Sequence, residues 1–418
     1  MRVLIVSPYH FPGDGVATYA FNLSELLKRN GHETAFFAMQ DERNLPDPNS
    51  DLFVSHIDFI ELSRRKGVLA GLTVLGRVIY SREARRKLGK LLDRFHPDVI
   101  HTQGFQHFMS PSILFEANKR RIPVVHTLHD FKMICPNTSM INDRTGGVCE
   151  ACKSGRYYMP VLKRCKKGSL AASLAASIEA YADVLMDVRG RIDAYISPSD
   201  FLRNKFIEHG FPKDNLHHIP NMLPEDTFVE KVTGGDYILF IGRVDPLKGI
   251  RELIQAARQT PEIKVKIAGR IAPSMVDEVP STLPPNVEYM GLKSGDELRS
   301  LVAGALALAV PSTWYENQPF SILEAFAAGK PVIASDLGGM TELVKDGERG
   351  LLVPPGDVDK LAQSMKRVVA NPDAAIEMGR NAQVYAREKH SADAFYRSVI
   401  ELYYQVVDEM GERPPCDH

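Results

Sequence analysis

The stretch Pro311–Glu342, PSTWYENQPFSILEAFAAGKPVIASDLGGMTE, decides how this chain is read. It starts where an apolar strand pattern, Ala307 to Val310, ends, and passes through a polar loop into a helical pattern. The β-branched strand Val332-Ile333-Ala334 and the pair Gly338-Gly339 follow. Strand, loop, helix and strand in this order predict a parallel sheet. Loops after such strands lie at the carboxyl edge, where open α/β sheets bind ligands. Glu316 and Glu324 fall there, eight residues apart, and two carboxylates so placed suit the hydroxyls of a sugar or ribose. The spacing predicts a helix beginning near Ser321, with Glu324 in its first turn, where the dipole favours negative charge. Glu316 stays in the preceding loop, free to meet another part of the ligand. Asn317, Gln318 and the amides around Pro319-Phe320-Ser321 add neutral hydrogen-bonding groups. The plainer reading is one helix-start carboxylate beside a surface loop.

The same rhythm occurs twice. In the first half, Arg2 to Ser7, Glu33 to Met39, Val99 to His101, Val124 to His126 and Ala194 to Ile196 read as strands. A helix is expected from Val16 to Asn30, because Tyr19, Leu23, Leu26 and Leu27 recur at helical spacing. The second half restarts at Tyr237 to Ile241 and continues through Val265–Ala268, Val287–Met290, Ala307–Val310 and Val332–Ala334. At 418 residues the chain exceeds one ordinary core. The expected fold class is α/β, with two facing doubly wound parallel-sheet domains and a ligand between them. The expected boundaries are 1–218, carrying a cysteine-rich insertion at 131–168, then 219–385, with 386–418 as terminal helix. The polar stretch from His218 to Asp236 reads as the hinge.

Composition narrows the ligand class. The chain is 44% apolar and 25% charged, with formal charge -1, so it lacks the basic footprint of a nucleic-acid binder. The local exception is Arg64 to Arg94, with ten Lys or Arg against Glu83 and Asp93, enclosing the apolar run Val68–Gly76. It reads either as a docked helix with a basic face or as a membrane-interface element. The run is too short to span a bilayer. The opening MRVLIVSPYH reads as a strand and not as a signal peptide. The expected location is cytoplasmic, at the inner face of the membrane if the 64–94 segment docks there.

The strongest candidates for chemistry lie in loops after strands. Gly242-Arg243 and Lys248-Gly249 bracket the first such loop of the second half, ahead of a helix N-terminus that favours anions. Arg243 offers a planar fork and Lys248 a mobile point charge, which together suit a diphosphate. Gly13-Asp14-Gly15 holds the equivalent place in the first half, and its glycines allow close backbone approach. Val124 to Asp130, VVHTLHD, is a strand ending in two histidines and an aspartate. His126 fits a satisfied core histidine, and His129 an active-site donor or acceptor.

Cys135, Cys149, Cys152 and Cys165 form C-x13-C-x2-C-x12-C within the insertion. Four thiols so spaced read as a structural zinc site, with an iron–sulfur cluster or unpaired thiols as alternatives. Disulfides do not suit a cytoplasmic chain. A metal here would fix the loop that follows His129-Asp130.

These motifs together closely resemble glycosyltransferase family 4, retaining nucleotide-sugar enzymes with two Rossmann-like domains in the GT-B arrangement. The resemblance runs through HTLHD, IDAYISPSDFLRNKFIEHGF, HHIPN, GRVDPLKG, the Glu-x7-Glu block and DGERGLLVPPGD. It implies that Arg243 and Lys248 bind the donor diphosphate, Glu324 the ribose, Glu316 the donor sugar and His129 that sugar near C6. Backbone near Gly13, Gly15, Phe320 and Ser321 would complete the donor site with Asn317. Donor binding would need no metal, and the C-terminal helix would cross back to the first domain. Gly13-Asp14-Gly15 departs from the adjacent glycines of many relatives, and Met222 stands where many have glycine. The implied activity is transfer of a hexose to a glycan or polyprenyl-linked acceptor. The alternatives are a nucleotide-sugar epimerase or phosphorylase of related fold, or a non-catalytic binding or scaffold protein.

Overall fold

The computed structural model describes residues 1–13, 15–56, 75–279, 281 and 283–412. The chain divides into two compact units. The first comprises Met1–Pro198, Arg203–Ile219 and the chain from Tyr396; the second comprises Ser199–Leu202 and Pro220–Phe395.

In the first unit, strands β1 (Arg2–Val6), β2 (Glu33–Phe37), β3 (Val99–Thr102), β4 (Val124–Thr127), β7 (Ala194–Ser197) and β8 (Leu216–His218) form one sheet. Its order is β2-β1-β3-β4-β7-β8, and every pairing is parallel. Val3 to Val6 are all buried, as a sheet covered on both faces requires. Helix α1 (Gly15–Arg29) turns Tyr19, Leu23, Leu26 and Leu27 inward, matching the periodicity. Strand β8 was not expected from the sequence, and only its last residue, His218, falls in the stretch read as the hinge. Its three residues offer too little periodicity to read. The two-stranded antiparallel pair β5 (Ile141–Asn142) and β6 (Gly147–Val148) lies inside the cysteine-rich insertion.

Helix α2 (Arg82–Phe95) begins at Ser81, whose hydroxyl accepts from the Ala84 amide, and buries Ala84, Leu88, Leu91 and Leu92. Half of its basic residues are paired, Arg85 with Glu116, Lys87 with Glu83 and Arg94 with Asp51, while Arg82, Arg86 and Lys90 are exposed with no ion pair among the described residues. This part of the 64–94 segment is a docked helix that keeps an exposed basic face. Nearly all of the apolar run Val68–Gly76 lies outside the described residues. Further along are α3 (Met159–Lys163) and α4 (Leu170–Leu185), which pack on one another.

In the second unit, β9 (Ile238–Ile241), β10 (Val265–Ala268), β11 (Val287–Gly291), β12 (Ala307–Val310), β13 (Val332–Ser335) and β14 (Gly350–Val353) form another all-parallel sheet. Its order is β11-β10-β9-β12-β13-β14. Alternate residues of each strand enter different cores. Ile238, Phe240, Ala307, Ala309 and Ile333 join one cluster, whereas Leu239, Leu308, Val310, Val332 and Ala334 join the other. Helices α5 (Ile250–Arg258) and α6 (Phe320–Ala327) follow β9 and β12. Last comes α7 (Ala392–Glu412), which counts with the first unit from Tyr396. There Tyr403 hydroxyl meets His101 Nδ1 at 2.5 Å, Tyr396 hydroxyl meets His32 Nε2 at 2.7 Å, and Arg121 Nη2 donates to Met410 carbonyl. No described helix is long and apolar enough to cross a membrane.

Candidate functional site

In each sheet the strand order reverses beside its first strand, between β1 and β3 and between β9 and β12. Such switch points open a crevice at the carboxyl edge. In the second unit the loops after β9 and β12 meet there. The β9 loop closes with a short turn, Pro246–Lys248, capped by Asp245, whose carboxylate accepts from the Leu247 amide. Gly249 follows at φ 72°, and a Cβ on it would lie 1.8 Å from the Pro311 carbonyl oxygen. Only glycine lets the two loops approach so closely.

That approach brings Lys248 to Glu316. Lys248 Nζ donates to Glu316 Oε1 at 2.6 Å, and the same oxygen accepts from Ser312 Oγ at 2.8 Å and Trp314 Nε1 at 2.7 Å. Glu316 is therefore buried and held, not free in its loop, and Lys248 is pinned rather than mobile. The reason is local: a buried carboxylate needs donors, and the lysine, serine and indole supply them. Oε2 takes none of these three bonds. The Glu316 carbonyl also accepts from Gly339 N at 2.8 Å, which ties the β13 loop to the site.

Arg243 stands apart from this cluster. It is 56% exposed and pairs with Asp245 at 3.1 Å. Its guanidinium is solvated on the side away from Asp245, so an arriving phosphate can reach it. Asn317 Oδ1 accepts from Ser199 Oγ at 2.6 Å, and Gln318 Oε1 from the Asn221 amide at 2.6 Å.

Helix α6 begins at Phe320, one residue before the expected start, because the Pro319 carbonyl already accepts from the Ile322 and Leu323 amides. Glu324 consequently lies beyond the first turn, which holds no acidic residue. The helix-start dipole is therefore not what sustains its charge. Burial pushes the Glu324 carboxyl up to about 7, and it has no hydrogen-bond or ion-pair partner among the described residues. The Phe320 and Ser321 amides, in the first turn, have no acceptor within the helix. An unpartnered carboxylate and outward amides beside two cations can receive a ribose diol and a diphosphate.

The first unit carries a cavity of about 150 Å³ at its own switch point. Ser7 and Tyr9 after β1, Gln103 and Phe108 after β3, and His126 and His129 at the end of β4 contribute to its lining. His126 is buried, with Nδ1 2.7 Å from the Thr102 hydroxyl. Burial and the neighbouring His126 push the His129 imidazole down to about 3, so it is neutral. Its Nε2 donates to Gln103 Oε1 at 2.8 Å, which leaves Nδ1 as an acceptor. Gln103 Nε2 and Ser7 Oγ are buried without a hydrogen-bond partner among the described residues. Beside the cavity, Lys132 Nζ donates to Glu179 at 2.7 Å and His107 lies 3.2 Å from the same carboxylate. Gly13 is exposed in the loop after β1 and Gly15 opens α1.

Sequence reasoning missed Ser7, Gln103, Lys132, Asp245, Ser312 and Trp314. For Asp245 a signal was present, since Asp-Pro after a strand marks a capped turn. Gln103 and Lys132 are fixed by contacts between distant segments, while Ser312 and Trp314 reach Glu316 within their own loop.

The four cysteines of the insertion are free thiols. Burial raises the Cys135 thiol above its ordinary value. Burial and the neighbouring thiols raise Cys152 to about 12 and Cys165 to about 11. As they stand, no three or more His, Cys, Asp or Glu side chains among the described residues are gathered as metal ligands.

Two family profiles match the chain: Glycosyltransferase Family 4 over residues 13–226 and Glycosyl transferases group 1 over 224–385. A D-inositol 3-phosphate glycosyltransferase of Nocardioides sp. is 30% identical over 461 aligned positions, covering 99% of this chain and 90% of the relative. An uncharacterized glycosyltransferase of Methanocaldococcus jannaschii is 26% identical, covering 95% and 96%. Among solved structures, Anabaena HepE in complex with UDP-glucose matches with TM-score 0.65 at 18% identity, covering 97% of this chain and 100% of its own. Sucrose-phosphate synthase of Thermosynechococcus elongatus matches with TM-score 0.69 at 19% identity, covering 98% and 99%.

Proposed function

As the chain belongs to glycosyltransferase family 4, we propose that its transfer of a sugar from a nucleoside diphosphate sugar proceeds with retention, onto a hydroxyl of a glycan or lipid-linked acceptor. The observation that carries this reading is the convergence of Lys248, Ser312 and Trp314 on Glu316 at the switch point of the second sheet. It holds a cation in place where a nucleotide diphosphate is expected.

In this reading Arg243 and Lys248 stabilise the charge that grows on the departing diphosphate. Glu324 accepts the ribose hydroxyls, and the Phe320 and Ser321 amides and Asn317 complete donor recognition. Glu316 fixes Lys248 through Oε1 and meets the donor sugar through Oε2. His129 offers Nδ1 to a sugar hydroxyl, and backbone at Gly13 and Gly15 approaches the donor. The bond from C1 to the phosphate oxygen breaks, and a bond from C1 to the acceptor oxygen forms on the same face. The acceptor proton passes to the leaving phosphate oxygen. The chemistry needs no metal in this account, because the two cations supply the positive charge. The reaction is assigned to the cytoplasm.

The test is a donor panel that includes UDP-glucose, run with and without a polyprenyl-linked acceptor, with detection of released nucleoside diphosphate and of product anomeric configuration. Retention with acceptor-dependent release supports the reading. Inversion, or isomerised donor without release, overturns it.

A further inference from the structure

Helix α4, LAASLAASIEAYADVL, is patterned inside out. Its buried face carries Ser173, Ser177 and Glu179 with Ala176 and Ala180. Its exposed side carries Leu170, Leu174, Ile178, Tyr181 and Leu185, which are between 40% and 87% exposed. These five recur at four, four, three and four residues, the spacing of one helix face. Over 16 residues that stripe is about 22 Å long.

The orientation is locked from within. Glu179 is buried and accepts from Lys132 Nζ at 2.7 Å, with His107 on its other oxygen. Burial alone would raise the Glu179 carboxyl, yet the His107 hydrogen bond and the Lys132 charge hold it down to about 2. Ser173 Oγ accepts from the Lys166 amide, and Ser177 Oγ donates to the Ser173 carbonyl. Rolling the helix to hide its leucines would expose this network and break a buried ion pair. The apolar stripe must face outward.

Neighbouring residues extend the stripe. Tyr158 and Leu162, flanking and within α3, are also exposed, Leu162 by 69%. At this end stand Lys163, Arg164 and Lys167, all exposed; no ion pair joins their side chains to an acid among the described residues, and the Lys167 amide donates to Asp143 at 2.7 Å. Between Tyr158 and Leu185 the acidic residues are Glu179, which is buried in the ion pair above, and Asp183. An apolar stripe edged by unpaired cations complements an anionic bilayer surface, where leucines enter the acyl boundary and lysines meet headgroups. A second copy fits less well, because between Tyr158 and Arg191 the one exposed acid it could set against Lys163, Arg164 and Lys167 is Asp187, past the far end of the stripe.

We propose that α4, with Tyr158, Leu162 and the Lys163-Arg164-Lys167 cations, docks this protein on the surface of an anionic membrane. The surface rests on exposure and charge, and stands independently of the donor-site reading.

The experiment is flotation of the purified full chain with vesicles of phosphatidylcholine alone or with about 30% phosphatidylglycerol, at low and high salt. Binding is expected to the anionic vesicles and to weaken with salt. A Leu174→Ser/Ile178→Ser variant and a Lys163→Ala/Arg164→Ala/Lys167→Ala variant should each lose about tenfold in partitioning. Both should keep their melting temperature and nucleoside diphosphate binding, which separates lost docking from lost folding. No binding of the parent to anionic vesicles overturns the proposal. So does undiminished binding of both variants, which would move the contact elsewhere. A concentration-dependent dimer in sedimentation velocity, abolished by Leu174→Ser/Ile178→Ser, overturns it in favour of self-association.

Discussion

Lys248 Nζ stands 2.6 Å from Glu316 Oε1, a contact across 68 residues that joins the loops after two neighbouring strands. Because Glu316 is buried and its Oε1 also serves Ser312 and Trp314, the lysine is placed by the same group it neutralises. The two side chains form a unit rather than separate contributors.

Removing either member should then cost nearly as much as removing both. Lys248→Ala and Glu316→Gln are each expected to lower turnover by about a hundredfold or more. The double variant should be no worse than the poorer single one, because groups acting together are not additive. Steady-state kinetics of the three variants checks this. Losses that multiply would show two independent roles.

Glu324 gives a pH signature. Its carboxyl is raised to about 7 in the folded chain from 4.5. Between those values the folded state holds a proton that the unfolded state has released. This group therefore makes stability fall as pH rises from 4.5 toward 7, with the full cost present above 7. Glu324→Gln should raise the melting temperature at pH 8, leave it nearly unchanged at pH 4.5, and weaken nucleoside diphosphate binding. Thermal scans at both values, with and without UDP, measure this. Equal melting temperatures at pH 8 would contradict the unpartnered carboxylate.

Gly339 is required by close approach and not by backbone angle. Its φ is -69°, but a Cβ there would lie 1.6 Å from the Asn317 carbonyl oxygen. Gly339→Ala should destabilise by about 1–3 kcal/mol and displace the loop that carries Glu316 and Asn317, so activity should fall further than stability. Denaturant unfolding beside kinetics tests both.

The two sheets were legible because their strands are continuous apolar runs between helical periods. Strand β8 was not, since the three residues Leu216-His217-His218 carry too little periodicity to read as a strand. Strand β14, Gly350–Val353, was quoted only within a motif. Arg243 and Lys248 were visible as loop cations before a helix. Their opposite circumstances, one exposed beside Asp245 and one pinned by Glu316, depend on packing between loops and could not be read locally. Glu324 was misplaced by one residue of helix start, because a proline carbonyl opens the helix. The inverted face of α4 was present in the sequence, yet its sense depends on Lys132, 47 residues from Glu179.

The insertion's thiols carry a separate test. Burial holds Cys135, Cys152 and Cys165 protonated, the last two helped by the neighbouring thiols. Zinc would reverse that balance by drawing the sulfurs onto one ion. Protein purified without chelator is expected to carry about one zinc per chain, lost in Cys149→Ser/Cys152→Ser together with melting temperature. Metal-free protein of unchanged melting temperature contradicts the zinc reading.

The most direct measurement is release of nucleoside diphosphate from the best donor of the panel, compared between the parent chain and Arg243→Ala. Arg243 is exposed and pairs only with the surface-loop Asp245 among the described residues, so its loss should spare the fold. The account predicts acceptor-dependent release by the parent, a fall of about 10²–10³ in the variant, and superimposable thermal unfolding. Release at the parental rate by a normally folded Arg243→Ala would contradict it.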